Sequence, residues 1–250
     1  MRSDDDVWLC VHCGPNSLRG MGSHGHCDQL SFELFARGES LIVDPGSYVY
    51  TADPEARNLF RSTAYHNTVR VDGEDQNRLP PDELFSMADD TRAECLFWET
   101  GDDRDIFIGT HHGYERLASP VTHIRRIDLL KREGAVTILD ALQGKGSRLV
   151  EVFLHLPPGA HVAAENGGSL VVRVGSLEFR VIFSGDGELA STVGDGWVSV
   201  RYGQRIEAPV IRRHGQVALP CRMAMAISWG EAASEDLLDR ALRAGIGREG

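Results

Sequence analysis

Apolar and polar residues along the chain alternate in short bursts rather than in long helical stripes. Runs such as LSFELFA, SLIVD, HNTVRVDG, ECLFWET, DIFIGTHH, SLVVRV, LEFRVIFSG, WVSVRYGQRI and RMAMAISWG have strand length and are rich in Val, Ile, Phe and Leu. The breaks between them (VDGED, KREG, SGDG) carry Gly, Asp and Asn, the residues that supply the backbone freedom a tight turn needs. These runs are too many for one twisted sheet. They predict an all-β fold, a large multi-stranded antiparallel β-sandwich in which two sheets share a core. VTHIRRIDLLKREGAVTILDAL predicts a hairpin turning at Glu133-Gly134, and HVAAENGGSLVVRV one turning at Asn166-Gly167-Gly168. Helical pattern is confined to a turn or two in DPEARNLFRSTA and to a short C-terminal helix in SEDLLDRALRAG. There Leu237, Leu238 and Leu242 share a face between an acidic start and a glycine stop. Pro80–Asp90 is the most loop-like interval, and residues 1–250 read as one domain.

Charge narrows the function classes. With 37 acidic and 26 basic residues the chain carries a net charge of −11, which repels nucleic acid and anionic membranes. An acidic polysaccharide remains compatible, because a cleft holding a few arginines and a metal ion attracts carboxylates and sulfates locally. The five cysteines are odd in number and scattered, so free thiols are expected. The CVHC pair at Cys10 and Cys13 reads as part of a strand, without the second pair that a zinc ribbon needs. No apolar run is long enough for membrane insertion, and the start MRSDDDVWLC lacks a basic-then-apolar secretory leader.

One stretch concentrates chemistry: GSHGHCDQLSFELFARGESLIVDPGSYVY, followed by AYHNTVRVDG. If the segment from His24 runs extended, a period of two puts His24, His26 and Asp28 on one side and Cys27 on the other. SLIVDPG delivers Asp44 at the end of a buried strand, fixed by the turn that Pro45 and Gly46 force. His66 adds a third imidazole near a strand start, with Asn67 on the face of Val69 and Val71. Two imidazoles and a carboxylate with an open fourth position suit zinc. The plain alternative is that these side chains cap turns and satisfy backbone groups.

The blocks SHGHCDQLSFELFARGESLIVDPGSYVY and NLFRSTAYHNTVRVDGEDQ resemble the signature of the heparinase II/III-like proteins, polysaccharide lyases acting on heparin, heparan sulfate, alginate and related uronate polymers. Weaker likeness continues in HHGYERL, HIRRIDLL and VFLHLPPG. The resemblance implies a C-terminal β-sandwich that follows an α/α toroid. It also implies one structural zinc ion held by His26, Asp44 and His66, and a catalytic role for His24 at the substrate cleft. The other reading of His24 is a partner that orients His26 or the metal carboxylate.

Such lyases neutralise a uronate carboxylate, remove the C5 proton and protonate the leaving O4. In the family, much of that machinery comes from the toroid, and no stretch of this chain resembles one. The expected partners are therefore an acidic polysaccharide and a toroid supplied in cis or in trans. The acid-rich start reads more as an interior linker than as a natural leader, which favours a piece of a longer enzyme; the expected compartment is periplasmic or secreted if that enzyme is exported, with the cytoplasm as the alternative for a chain that has no signal peptide. The alternative is a non-catalytic module that binds an anionic glycan or stabilises a partner. A zinc hydrolase is a third reading, without an HExxH general base to support it.

Tyr48 and Tyr50 follow the metal aspartate and are candidate substrate contacts, or else packing aromatics at a turn. Arg61 is a candidate for binding a uronate carboxylate or sulfate, whereas Arg57 reads as a surface ion pair. Asn67 is expected to bond backbone. His111, His112, His123, His155, His161 and His214 are read as structural.

Overall fold

The structure, a computed structural model, describes residues 1–3, 6–165, 168–230 and 235–246. Its strands form two antiparallel sheets. The smaller holds β1 (Arg2–Ser3), β2 (Val7–Val11), β3 (Phe32–Ala36) and β4 (Glu39–Ile42), in that order. The larger is built from β5 (Val69–Val71), β6 (Glu94–Thr100), β7 (Arg104–His111), β8 (Thr122–Leu130), β9 (Ala135–His155), β10 (His161–Ala164), β11 (Leu170–Val174), β12 (Leu177–Gly185), β13 (Ala190–Arg201) and β14 (Gln204–Ser228). Its order is β10-β11-β12-β14-β9-β8-β7-β6, with β13 joined to β14 and β5 to β9. The predicted all-β sandwich is the observed fold.

Period-two alternation explains the layering. Leu9, Phe32, Leu34, Leu41 and Ile42 of the small sheet meet Phe107, Ile127, Leu129, Ile138, Leu154 and Ile227 of the large one, all at most 2% exposed. Each such side chain removed from water contributes about 1.5–3 kcal/mol. On the far side of the large sheet, helix α3 (Glu235–Arg243) lays Leu237, Leu238 and Ala241 over Ala135, Leu139, Ala224 and Ala226, as the leucine spacing predicts. The Glu133-Gly134 turn joins β8 to β9 in the register Leu130↔Ala135. β10 and β11 pair with Ala164 opposite Leu170; Asn166 and Gly167 of the second predicted turn lie outside the described residues. Helix α1 (Ser17–Gly20) is a single turn. Helix α2 (Pro54–Phe60) starts on Asp53, whose side chain accepts from the Ala56 N–H at 2.9 Å, with proline at its first position. No helix among the described residues is long and apolar enough to cross a membrane.

A buried polar relay ties the large sheet to the segments that precede β3 and β5. The Gly113 N–H donates to His111 Nδ1 (3.2 Å), which leaves His111 Nε2–H to donate to His123 Nδ1 (3.1 Å) and His123 Nε2–H to donate to Asp140 Oδ1 (2.7 Å). Each imidazole thus needs one proton only, and both are fully buried. Arg125 closes the chain, with Nε and Nη2 on the two Asp140 oxygens at 2.7 and 2.9 Å. Its Nη1 donates to the Leu30 and Asn67 carbonyls (2.8 and 2.7 Å), two backbone points that flank the histidine-bearing segments.

Burial pushes His111 well below the ordinary histidine range, with His123 adding to it, and burial outweighs Asp140 in lowering His123. Below about pH 6.5 the unfolded chain takes up protons that the fold refuses, so stability falls as pH drops, by up to about 1.4 kcal/mol per pH unit per group. His12 and His66 are raised and pull the other way. The informative quantity is therefore the slope. Thermal melts between about pH 7 and 5 should show a shallower acid loss in His111→Gln than in the unmodified chain.

Candidate functional site

The segment Gly22–Ser31 is an irregular loop rather than the extended strand that alternation predicts. Its backbone groups are spent on other loops instead of on a ladder. The Cys27 N–H donates to Arg61 O (2.9 Å), Gln29 N–H to Gln76 Oε1 (2.8 Å) and Leu30 N–H to His12 O (2.7 Å), while Leu30 takes a left-handed φ of +61°. Cys27 is buried against Asn77 and Met87, away from the histidines. Asp28 pairs with His12 at 2.8 Å.

Asn67 pins the pieces together, as expected. Its Nδ2 donates to Phe32 O and Val43 O (both 2.9 Å), and its Oδ1 accepts from the His155 N–H (2.7 Å). This brings the end of β4 and the start of β5 side by side, so Asp44 and His66 meet. His66 Nδ1 lies 2.7 Å from Asp44 Oδ2. The His26 ring sits 5.2 Å from the His66 ring. His24 stands apart from this cluster, exposed, with its ring edge-on to Tyr50 (5.3 Å) and Phe85 (5.7 Å).

Electrostatics sets the protonation states. Burial, reinforced by His66, drops His26 to about 3, so its imidazole is neutral. Burial alone would raise Asp44, but the neighbouring His66 overrides it and holds the carboxylate at about 2. The Asp44 carboxylate is ionised and the His26 imidazole is neutral. Asp28, Glu33 and Asp44 border a cavity of about 290 Å³ beside the cluster.

Two arginines stand where local sequence did not place them. Arg57, read as a surface ion pair, is fully buried: its Nη1 lies 3.1 Å from His26 Nε2 and its guanidinium 5.2 Å from the centre of the Tyr50 ring. Arg61, a candidate for the substrate carboxylate, is also fully buried. Its guanidinium bonds Asn58 Oδ1 and the carbonyls of Pro80, Glu83, Leu84 and Ser86. It clamps the Pro80–Asp90 loop, which carries Phe85 to the rim, and that spends the donors a sugar would need. Tyr48 and Tyr50 are half-buried at the same rim, Tyr48 against Phe60 (5.3 Å) and Tyr50 against Phe85 (6.0 Å) and Tyr202 (5.6 Å).

The donor set suits a metal in chemistry. Two imidazoles and a carboxylate are neighbours, and His66 Nε2 is buried with no partner among the described residues. Arg57 competes for the His26 Nε2 lone pair, so an ion bound through that nitrogen displaces its hydrogen bond. As the side chains stand, no three His, Cys, Asp or Glu groups among the described residues are arranged around a common metal position.

Comparison with known proteins places these features. A model of the heparinase II/III-like C-terminal family matches residues 1–230. The heparin-sulfate lyase of Bacteroides stercoris is 24% identical over 208 residues, 80% of this chain and 28% of the relative. That of Pedobacter heparinus is 32% identical over 97 residues, 38% of this chain and 13% of the relative. A solved heparinase III superposes with a TM-score of 0.75 over 92% of this chain and 34% of its own, at 19% identity, a likeness of fold. The chain spans less than a third of the length of these curated relatives. The family match runs through both sheets and through every residue of the His26–Asp44–His66 cluster, and the chain belongs to the heparinase II/III-like C-terminal family.

Proposed function

We propose that this chain is the sandwich half of a polysaccharide lyase that cleaves a uronate polymer of the heparin and heparan sulfate type by β-elimination. It contributes one wall of the cleft and a structural zinc site formed by His26, Asp44 and His66. The observation that carries the reading is the pairing of a His-Asp-His cluster, its two imidazoles buried, with an exposed imidazole, His24, at an aromatic rim. The heparin-sulfate lyase relatives point to the substrate class.

In the elimination, the C5–H bond gives its proton to a base and its electron pair becomes the C4–C5 double bond. The C4–O4 bond breaks, and O4 takes a proton as it leaves. His24 is the group of this chain placed to hold or move one of those protons, and general acid–base catalysis of this kind contributes about 10²–10⁴-fold. Tyr50 packs against His24 and offers a ring to the sugar. Arg61 acts indirectly, by holding the loop of Phe85. Zinc, when bound, would fix His26, Asp44 and His66 as a rigid cleft wall behind His24.

A helical toroid, in cis or in trans, would supply the remaining proton-transfer group. The test is an assay for unsaturated uronate on heparan sulfate, using the chain alone and the chain joined to a toroid half. Product is expected with the joined form, falling about 10²–10⁴-fold in His24→Ala. Glycan binding with no product from either form would replace this reading with that of a non-catalytic glycan-binding module.

A further inference from the structure

The hairpin of β13 and β14 lies over the strand end that carries Asp44, and no sequence motif singled it out. Its tip turns at Tyr202-Gly203, with Gly203 at φ +71° and Arg201 paired to Gln204. Two backbone bonds dock it: Ser199 N–H to Pro45 O (2.8 Å) and Gly203 N–H to Tyr48 O (2.7 Å). The approach is close enough to require glycine at position 46. A Cβ there would meet Ser199 O at 2.4 Å, and the φ of +81° already disfavours one.

Docking places two side chains beside the cleft rim. Tyr202 is 63% exposed and continues the line of rings His24–Tyr50, at 5.6 Å from Tyr50. Arg205, also exposed, has its guanidinium 5.0 Å from the Tyr48 ring centre and 4.4 Å from the Trp197 ring centre. Among the described residues it makes no hydrogen bond or ion pair. The guanidinium is therefore positioned by aromatic contacts while its in-plane N–H donors stay free, an arrangement suited to a carboxylate or sulfate. Pre-positioning lowers the ordering cost of binding. Arg201 adds a second exposed cation at the tip; Glu207, opposite Trp197 in the ladder, is the nearby counter-charge along the hairpin.

We infer that the tip of the β13–β14 hairpin is a glycan subsite, in which Arg205 binds an anionic group of the polymer and Tyr202 stacks on a sugar ring flanking the one held at His24 and Tyr50. The inference rests on the uronate-polymer reading for its ligand class, and on the hairpin alone for its location. A positively charged, ring-lined shelf on a chain of net charge −11 selects an anionic sugar chain over an acidic protein surface that lacks rings to stack.

The test is titration of the chain with a heparan sulfate octasaccharide, read by calorimetry and by fluorescence of Trp197 beside Arg205. Arg205→Gln is expected to weaken binding by about 10-fold or more, the size of a lost charge-assisted hydrogen bond. Arg205→Lys should recover part of it, Tyr202→Ala should weaken it several-fold, and melting curves should not move. Wild-type affinity in both Arg205→Gln and Tyr202→Ala, with weakened binding in Tyr50→Ala, would overturn the hairpin subsite and leave the lyase reading standing. Failure of the unmodified chain to bind any uronate polymer would overturn both.

Discussion

Replacing Arg125 by alanine is expected to cost about 3–5 kcal/mol of folding stability, because it leaves the fully buried Asp140 carboxylate without its counter-charge. The charge of Asp140 is held well below the ordinary carboxylate range despite burial, mainly by Arg125 and then by His123. The same substitution strips the Leu30 and Asn67 carbonyls of their donor, so the damage reaches both segments of the candidate site. The double variant Arg125→Met with Asp140→Leu removes both charges and is expected to lose less than the sum of the two single variants. Chemical denaturation of the unmodified chain, Arg125→Ala, the singles Arg125→Met and Asp140→Leu, and the double variant measures this directly. A cost below about 1 kcal/mol for Arg125→Ala would place this ion pair with exposed ones.

The second large effect concerns metal. Purified chain is expected to hold one zinc ion per molecule, retained in His24→Ala and lost in His26→Ala. Loss of a ligand should exceed the roughly 10–100-fold drop in affinity that follows from removing a ligand's supporting partner. Elemental analysis after dialysis against a weak chelator makes the comparison. Equal loss in both variants would merge the roles of His24 and His26. Arg57→Met removes the guanidinium 3.1 Å from His26 Nε2 and is expected to strengthen metal retention, since the arginine holds the lone pair an ion would use.

The sandwich was legible because strand alternation and turn residues are local. The leucines of the last helix and the Glu133-Gly134 turn needed no distant partner to be recognised. The meeting of His26, Asp44 and His66 was anticipated through the family signature, since these residues lie far apart in sequence. Extended geometry at His24–Asp28 failed because Gln76, Arg61 and His12 supply the hydrogen bonds that a neighbouring strand would have given.

The burial of Arg57 and Arg61 was hidden for a similar reason. The carbonyls that hold Arg61 come from 80–86, a loop with no periodicity to read. One missed feature did leave a trace. A hairpin with Leu130 opposite Ala135 places Arg125 opposite Asp140, so counting back from the predicted turn identifies a cross-strand pair of opposite charge. WVSVRYGQRI, read as one run, turns at Tyr202-Gly203 between β13 and β14, and the docking of that hairpin on Pro45 and Tyr48 left no trace, because it is a backbone contact between segments some 150 residues apart.

The central claim is that cleavage proceeds by elimination, and the fate of solvent oxygen tests it most directly. Heparan sulfate is digested in heavy-oxygen water by the chain joined to a toroid half, and the products are weighed by mass spectrometry. The account predicts an unsaturated uronate, free of solvent oxygen, at each new non-reducing end. Saturated non-reducing ends, with the heavy oxygen entering at the new reducing-end C1, would mean hydrolysis and would contradict it.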